Sequence, residues 1–347
     1  MPFTAEEVAH FENSVIEWNV KDYINQTVQD RPMYDALLAN KKTFPAGKEF
    51  ITMRVSGEFV VEMIGYTHDD EQAYVNPATL KQAKARWYEV GSGTNVTLTE
   101  LKKYGVSVVD SNRSNSTVTH TDSELAALVD VLEYKEDQLM EGSERSLAQM
   151  FWRDGTQDAK AMPGIFSVLV DSPTTGVRLG IDSAIETYWR NRVSLGIDSS
   201  TASNQNLVTK LQTEFRQLRR FSRLRPQHVF CAGSDFMDAL EQELRAKGNY
   251  TEVGWAKNGG SIDFSVADMS FKGLLVKYDP TLDDLSRSKF GYVVDMRQVK
   301  LWCMDDEWMK RHNPSRPPEK YVKYDAVTCT IALCVGQMNT SGVYSIA

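Results

Sequence analysis

The chain has 347 residues, of which 41% are hydrophobic and 25% are charged, and its formal net charge is −8. This hydrophobic fraction is sufficient for a core, so the composition excludes a disordered protein. A general nucleic-acid-binding protein would carry a basic excess, which this chain lacks. No window approaches the roughly eighteen uncharged apolar residues of a membrane span, and the first residues lack the features of a signal peptide.

The cysteines of the chain are Cys231, Cys303, Cys329 and Cys334. They form neither a C-x-x-C pair nor a zinc-ligand spacing. We therefore expect reduced, buried thiols of the kind found in cytosolic proteins.

The first 45 residues are predicted to form an arm with one short helix at residues 4–19. Thr4 and Glu7 make a capping box there, and apolar residues follow at helical spacing. The pattern of the remaining arm is polar and irregular. Ordering so long a segment alone would be costly, so we expect the arm to lie on its own body or on a neighbour.

Residues 48–93 are predicted to form a long excursion with two limbs. Apolar residues alternate along residues 48–63, and Ser56-Gly57 between the two runs predicts a β-hairpin. An acidic turn follows, and a further segment at residues 80–90 ends at a predicted turn, Gly91-Ser92-Gly93. An excursion this large with little core of its own usually serves a function or a partner.

The longest predicted element is one helix over residues 119–155. Thr121 and Glu124 form a capping box, apolar residues recur at helical spacing, and Gly155 supplies a stop. Some thirty helical residues span roughly 45 Å, which is longer than a small domain is wide. The alternative is two shorter helices broken at Gly142-Ser143.

The rest of the chain predicts an α+β fold that is mostly antiparallel. The predicted helices are 99–104, 204–221 and 234–247, the last with Ser234 as its N-cap and Gly248 as its stop. An apolar strand is expected within residues 154–170, and either a strand or a short helix within 181–193. The later predicted strands are 228–231, 264–266, 274–278, 291–296, 299–302, 327–335 and 343–346, with a proline-rich turn at 313–318.

No catalytic motif is present, because the sequence lacks a P-loop, H-E-x-x-H and G-x-S-x-G. The acidic clusters at residues 68–71 and 305–307 lack the ligand spacing of a calcium loop, so we interpret them as solvated turns. We therefore predict no catalytic residue, no metal site and no cofactor. The alternative is an enzyme whose site is assembled from scattered residues around His228 and Asp235.

One charge pattern is more specific than the acidic clusters, because four arginines recur at the spacing of one helical face: Arg216, Arg219, Arg220 and Arg223. Arg225, Lys210, Arg190 and Arg192 add to this region. The pattern has two interpretations. The arginines either contact a partner, which is the carboxylates of a neighbouring chain or a polyanion, or they form a solvated face. We predict that Arg219 and Arg220 pair across a subunit boundary. Arg54 and Lys48, in the excursion, are further candidate subunit contacts.

Several short segments occur in an order that is similar to that of a known family. They are RDGT at 153–156 after the long helix, MPGI at 162–165, YWRN at 188–191, RPQHVF at 225–230 followed by GSDF at 233–236, and SFKGLLV at 270–276. Their order, with the arm, the excursion and the long helix, resembles the major capsid protein of tailed double-stranded DNA bacteriophages. The resemblance covers nearly the whole chain.

The resemblance implies a Hong Kong 97-type capsid fold with four parts. These are an N-terminal arm at 1–45, an extended loop at 46–95, a peripheral domain at 96–165 and 298–337 with a spine helix at about 121–153, and an axial domain at 166–297 and 338–347. It implies no catalysis and a structural role: self-assembly into hexamers and pentamers of an icosahedral shell around double-stranded DNA. The implied location is the virion, assembled in the host bacterial cytoplasm.

Partners implied by the resemblance are further copies of the chain, a portal, a scaffold and decoration proteins. Some relatives carry a long scaffolding segment before the extended loop, where this chain has about 45 residues, so we expect a separate scaffold or none. Some also form a Lys–Asn crosslink, but nothing here identifies a partner for Lys48, Lys81 or Lys84. A shell protein of an encapsulin-type nanocompartment with the same fold is the alternative function.

Overall fold

The computed structural model describes residues 28–57, 59–71, 74–76, 80–103, 122–199, 205–222, 227–246, 270–312 and 322–347. None of the helices in these ranges has the length and apolar character needed to cross a membrane. The predictions outside these ranges include the helix at 4–19, the strand at 264–266, the proline-rich turn at 313–318, the helix stop at Gly248, the capping residue Thr121, and the candidate site residues Arg223 and Arg225.

The helices of the described ranges differ greatly in length. They are α1 (Pro32–Ala39), α2 (Leu98–Lys103), α3 (Asp122–Trp152), α4 (Ile165–Val168), α5 (Leu207–Phe221), α6 (Ser234–Ala246) and α7 (Pro280–Asp284), with a 3-10 turn at Thr187–Trp189. The helices predicted at 204–221 and 234–247 are α5 and α6, although Ser234 is the first helical residue rather than the N-cap.

The strands of the described ranges form two larger sheets and two isolated pairs. They are β1 (Lys42–Phe44), β2 (Phe50–Ser56), β3 (Leu80–Arg86), β4 (Tyr88–Thr97), β5 (Val177–Arg178), β6 (Ile181–Asp182), β7 (Arg192–Ile197), β8 (His228–Ala232), β9 (Ser270–Phe271), β10 (Leu274–Tyr278), β11 (Phe290–Asp295), β12 (Val299–Met304), β13 (Lys310–His312), β14 (Val322–Val335) and β15 (Gly342–Ile346). The strands β2 and β3 form one antiparallel pair, and β5 and β6 form the other.

The five-stranded sheet is organised around β14. One edge of β14 pairs with β4 over ten residues, and the other edge pairs with β12 and β13; β1 adds to β12 in parallel. The six-stranded sheet has the order β7-β15-β11-β8-β10-β9. Its strands all fall within the range predicted for the axial domain, whereas β1 and β4 reach the first sheet from the ranges predicted for the arm and the loop.

Helix α3 is continuous over its 31 residues, which corresponds to about 46 Å. It runs through Gly142 and Ser143 without a break, so the alternative of two shorter helices is wrong. The Ser143 hydroxyl bonds to the Leu139 carbonyl of the same helix and to the hydroxyl of Ser92 on β4. The helix is therefore tied to the five-stranded sheet at the place where a kink was considered.

Two hydrophobic clusters form the core of the part of the chain that the structure describes. The first lies under the C-terminal half of α3 and joins both sheets; it includes Phe151, Trp152, Trp189, Tyr292, Leu301 and Ile331. The second lies between the six-stranded sheet and helices α5 and α6; it includes Leu211, Phe215, Phe230, Phe236 and Leu240. The apolar stripe predicted on α5 is buried here, which leaves the opposite face of that helix in solvent.

Part of the predicted irregular arm is a buried helix. Met33 and Leu37 of α1 belong to the first core cluster, and Tyr34 stacks on Phe151 of α3. Arg31, just before α1, forms an ion pair with Glu141 of α3. The interpretation as irregular was wrong here because Pro32 at the first helical position and a short apolar stripe outweigh the polar surroundings.

The predicted hairpin at residues 48–63 is also wrong. Strand β2 pairs with β3, from Phe50↔Arg86 to Ser56↔Leu80, and residues 59–66 form no strand. The predicted turn at Gly91-Ser92-Gly93 lies inside β4, because β14 supplies a pairing partner that a local turn signal cannot reveal. Residues 165–168 form α4 where an apolar strand was expected.

Candidate assembly surfaces

The β2–β3 ribbon is fixed to the body at its base by contacts of three kinds. The backbone N–H of Lys84 donates to the Leu179 carbonyl at 2.8 Å, and Lys81 pairs with Glu186 at 3.3 Å.

The ribbon also packs against the body. Gly57 lies against the ring of Tyr188, so closely that an added Cβ would be 2.1 Å from Cε1. Val55 and Ala83 enter the first core cluster. The direction in which the extended loop leaves the body is therefore set by packing and hydrogen bonds.

Beyond the ribbon, the extended loop exposes a series of large apolar side chains: Phe59, Val60, Val61, Met63, Ile64, Tyr66, Tyr74 and Val75. Phe59 is 90% exposed, Tyr74 89% and Ile64 77%. Exposed apolar residues that are contiguous in the chain mark an interaction site more often than isolated ones do. We call residues 59–66 the apolar segment.

An acidic turn follows the apolar segment at residues 67–70. The Asp70 carboxylate accepts hydrogen bonds from the backbone N–H and the hydroxyl of Thr67, both at 2.9 Å. These bonds hold the pKa of Asp70 below its usual value. The turn is ordered by its own side chains, and within the described residues no group of His, Cys, Asp or Glu is placed to hold a metal ion.

Arg54 and Lys48, the candidate contacts in the loop, are both exposed. Arg54 lines an open groove of about 860 Å³ between the ribbon and the body, together with Tyr188, Phe221 and Asn339. The Lys48 carbonyl accepts a hydrogen bond from the Trp87 indole at 2.7 Å. The structure thus places Arg54 at the loop base. That Arg54 and Lys48 contact another subunit stays a prediction.

The arginines of α5 point away from its buried stripe. Arg216, Arg219 and Arg220 are exposed, and none of them forms an ion pair with a residue that the structure describes; Arg223 lies outside the described residues. Arg219 donates to the Lys272 carbonyl at 3.3 Å, and the Arg220 guanidinium lies over the Phe221 ring. We call the three described side chains the arginine face.

Two arginines that were assigned to the same region have partners inside the chain. Arg192 makes two hydrogen bonds to Glu214, at 2.9 and 3.1 Å, which raise the pKa of Arg192 further. Arg190 donates to the carbonyls of Ser183 and Ala184. These two side chains stabilise the body and do not extend the arginine face.

The residues of the alternative enzyme site do not converge. His228 begins β8, and its Nε2 lies 2.9 Å from the Thr340 carbonyl oxygen; burial lowers its pKa. Asp235 follows the other end of β8 and accepts a hydrogen bond from Ser288. The five residues of β8 separate them by about 13 Å of strand. No general acid–base pair is formed from His228 and Asp235.

Sequence reasoning missed the importance of the apolar segment and of the loop base. The segment FVVEMI at 59–64 was interpreted as one limb of a hairpin, although five of its six residues are apolar and thus leave no polar face. That run is the signal that would have identified it as an exposed apolar surface. Tyr188 and Leu179 carry no local signal, because their partners lie about a hundred residues earlier in the chain.

Comparison with known proteins gave matches in structure but not in sequence. No family model matches the chain, and no curated protein matches its sequence. The cyanophage A-1(L) capsid asymmetric unit is similar with a TM-score of 0.68 at 12% identity, over 97% of this chain and 98% of that chain. The capsid of a native GTA particle has a TM-score of 0.59 at 9% identity, over 98% of both chains.

A third similar structure is the capsid of the Myoviridae phage XM1, with a TM-score of 0.55 at 10% identity, over 96% of this chain and 97% of that chain. These matches cover almost all of each chain, so they concern the whole fold and not one domain. The prediction of an α+β, Hong Kong 97-type fold is confirmed: the chain has the fold of tailed-phage capsid subunits.

Proposed function

We propose that this chain is a major capsid protein, which assembles into hexamers and pentamers of an icosahedral shell that encloses phage double-stranded DNA. The observation that carries the proposal is the extended loop. On a chain with the fold of capsid subunits, a ribbon fixed at its base carries an exposed apolar segment, which the described part of the body does not cover.

The energetics of the apolar segment support self-association. Burying a large apolar side chain such as Phe59, Met63 or Ile64 contributes about 1.5–3 kcal/mol relative to leaving it in water. Each copy that receives a neighbour's segment also donates its own, so such contacts accumulate around a closed ring. The ribbon is fixed in direction at its base, so less ordering entropy opposes binding than for a free loop.

The same proposal includes the four-part division and the partners implied by the resemblance. Outside α1, β1 and β4, the arm (1–45) and the extended loop (46–95) would contact neighbouring copies. The three excepted elements form the body together with the peripheral (96–165, 298–337) and axial (166–297, 338–347) domains. A portal, a scaffold and decoration proteins would complete a virion assembled in the bacterial cytoplasm. The net charge of −8 suits a wall that does not retain DNA by attraction to phosphates.

Electron microscopy and sedimentation of the purified chain test the proposal. We expect closed shells or hexamers from the natural sequence, alone or with a scaffold protein expressed from a neighbouring gene. A triple variant, Phe59→Ser, Met63→Ser and Ile64→Ser, should remain folded by circular dichroism but stay unassembled. Ile185→Ser, which alters an exposed apolar residue of the body, is the matched control and should assemble.

A natural chain that stays monomeric under both conditions would contradict the proposal, as would normal assembly of the triple variant. The diameter and content of the shell then distinguish the two uses of the fold. A shell that packages DNA supports the capsid function, whereas a small shell that encloses a protein cargo supports the encapsulin-type alternative.

A further inference from the structure

The two ends of strand β10 in the six-stranded sheet carry exposed charges of opposite sign. Lys272 precedes β10, and its carbonyl accepts the hydrogen bond from Arg219, so the C-terminal half of α5 lies at the beginning of the strand. Asp279 follows β10 and caps α7, which ends at Asp284. The strand and its flanking residues thus place the two groups at opposite ends of the sheet, roughly 20 Å apart.

We define the basic end by four side chains, each of which is exposed: Arg216, Arg219, Arg220 and Lys272. Glu214 is the acidic residue on α5 closest in sequence, and both of its carboxylate oxygens accept hydrogen bonds from Arg192. It therefore does not neutralise the arginine face.

The acidic end is formed where α6 and α7 begin, after the parallel strands β8 and β10. The backbone N–H of Ser234 donates to Asp283 at 3.1 Å, which brings the two helices together. Asp235, Asp238 and Asp284 are exposed there.

Four described cations lie near the acidic end, namely Arg145, Lys277, Arg287 and Lys289. Arg287 pairs with Asp171 at 2.8 Å, and the Lys289 ammonium donates to the Ala347 carbonyl at 3.0 Å. Arg145 approaches Asp284 only to 3.9 Å. Lys289 keeps its charge, because its acceptor is a carbonyl, and Lys277 is exposed next to the end of β10. Among the described residues, the carboxylates of Asp235, Asp238, Asp283 and Asp284 thus outnumber by one the three cations that Asp171 does not pair, which are Arg145, Lys277 and Lys289. The acidic end therefore keeps a small surplus of negative charge.

We infer that the basic end of one copy faces the acidic end of the next copy around the ring, so that the two surfaces set the order and register of neighbouring subunits. This inference rests on the proposed function, and it names the surface that the arginine face meets. The two ends of one chain are separated by more than the Debye length of about 8 Å at physiological salt, so they cannot neutralise each other. In a cyclic ring, one surface of each subunit contacts a different surface of its neighbour. A contact between the basic end and the acidic end has this geometry.

Charges at such a boundary act mainly on orientation and on the rejection of wrong neighbours, while the apolar segment supplies affinity. The inference therefore predicts that assembly slows as salt rises. It also predicts that wrong pairings, basic end to basic end, are disfavoured.

Two charge-reversed proteins test the inference. The first carries Arg216→Glu, Arg219→Glu and Arg220→Glu, so both of its ends are negative. The second carries Asp238→Lys and Asp284→Lys; Asp235 is kept because it accepts the Ser288 hydrogen bond in the first turn of α6. Each protein alone should remain folded by circular dichroism and show a loss of hexamers in sedimentation.

Mixing the two reversed proteins in equal amounts should restore hexamers in which they alternate, because every boundary then joins unlike charges. A ring of five cannot alternate, so the mixture should form hexamers without the pentamers that close a shell. A chain that carries all five substitutions should assemble by itself. Lys42→Glu, Lys103→Glu and Lys160→Glu, at exposed positions away from both ends, form the control and should assemble normally.

Failure of the mixture to form hexamers, while the natural chain does, overturns this inference and leaves the proposed function standing. Normal assembly of either reversed protein alone overturns it as well. If the natural chain forms no hexamers under any condition, the proposed function itself fails.

Discussion

The indole N–H of Trp152 donates a hydrogen bond to the Asp279 carboxylate at 3.0 Å, which joins the last turn of the 31-residue helix to the start of α7. Both residues are 1% exposed. The other carboxylate oxygen accepts from the backbone N–H of Thr281 at 3.0 Å. One buried carboxylate thus connects the long helix to the six-stranded sheet and also caps a helix.

Asp279→Ala should lower the free energy of unfolding of the isolated subunit by about 2–4 kcal/mol. The substitution leaves the Trp152 and Thr281 N–H groups buried without an acceptor, and each such loss costs about 1–3 kcal/mol. Urea denaturation of the unassembled subunit measures the change. Asp158→Ala removes an exposed carboxylate from a turn and serves as the control, with an expected loss of about 0.5 kcal/mol. Equal losses in the two variants would contradict the assigned role.

Asp279 should also make stability depend on pH. Its pKa is raised above 3.8 mainly by burial, although hydrogen bonds from Thr281 and Trp152 oppose the shift. A carboxyl group with a raised pKa in the folded state binds its proton more tightly there than in the unfolded chain. Its favourable contribution is therefore complete below 3.8 and is lost as the pH rises through the raised folded pKa.

The comparison with Asp279→Asn isolates this effect from the other carboxyl groups. The free energy of unfolding of the natural chain, minus that of Asp279→Asn, should fall as the pH rises from about 4 towards neutrality. Urea denaturation at several pH values gives this difference. A difference that rises with pH over the same range would show that the carboxylate is stabilised, and not destabilised, by its surroundings.

Elements that carry their own periodicity were predictable from the sequence. The apolar stripe of α5, the helix start of α3 and the alternation in β14 depend on residues within a few positions of one another. Strands β3 and β4 depend on partners far away: Ser92 in β4 lies opposite Val327 in β14, and Ser56 in β2 lies opposite Leu80 in β3. No local pattern reveals such a partner, so glycine and serine in these strands were interpreted as turns.

The residues of the candidate site also divide into those whose placement the sequence predicted and those whose placement depends on distant partners. The spacing of Arg216, Arg219 and Arg220 predicted one exposed face, and these side chains do lie together in solvent. Sequence spacing gave no means of separating them from Arg190 and Arg192, whose partners are carbonyls and a carboxylate brought close by the fold. That the arginine face contacts another subunit stays a prediction.

Gly57→Ala should disturb the base of the extended loop. The added methyl group would lie 2.1 Å from Cε1 of Tyr188, so either the ring or the ribbon has to move. Overpacking of this kind costs about 1–3 kcal/mol of the free energy of unfolding. Gly65→Ala is the matched control, because nothing lies within 4 Å of its added Cβ.

Urea denaturation measures the stability of both glycine variants, and limited proteolysis reports the mobility of the loop. We expect faster cleavage near the ribbon in Gly57→Ala and an unchanged pattern in Gly65→Ala. If both variants behave like the natural chain, the close contact between Gly57 and Tyr188 does not fix the loop.

Glu243→Ala should weaken the packing of α5 on α6. The Glu243 side chain is fully buried, and its carboxylate oxygens accept hydrogen bonds from the backbone N–H groups of Leu207 and Val208, at 2.8 and 3.0 Å. It thereby supplies a negative charge and two acceptors to the N-terminus of α5, where unpaired N–H groups and the helix dipole favour both.

Loss of this buried cap should cost about 2–4 kcal/mol of the free energy of unfolding, since two donors lose their acceptor. Urea denaturation measures the loss. Gln242→Ala removes the exposed neighbour on the same helix and should change stability by about 0.5 kcal/mol or less. A Glu243→Ala subunit as stable as the Gln242→Ala control would show that solvent or another group satisfies those N–H groups.

The cysteine thiols should resist modification as long as the subunit is folded. All four cysteines are buried and free, and burial raises the pKa of Cys303 to about 11 and that of Cys334 to about 12. The thiolate is the reactive form, so both its scarcity near pH 8 and the lack of access slow the reaction with an aromatic disulfide reagent. We expect almost no reaction in buffer and four equivalents of released thiol in concentrated urea. Rapid release of several equivalents while the circular dichroism spectrum stays native would contradict the buried positions on the five-stranded and six-stranded sheets.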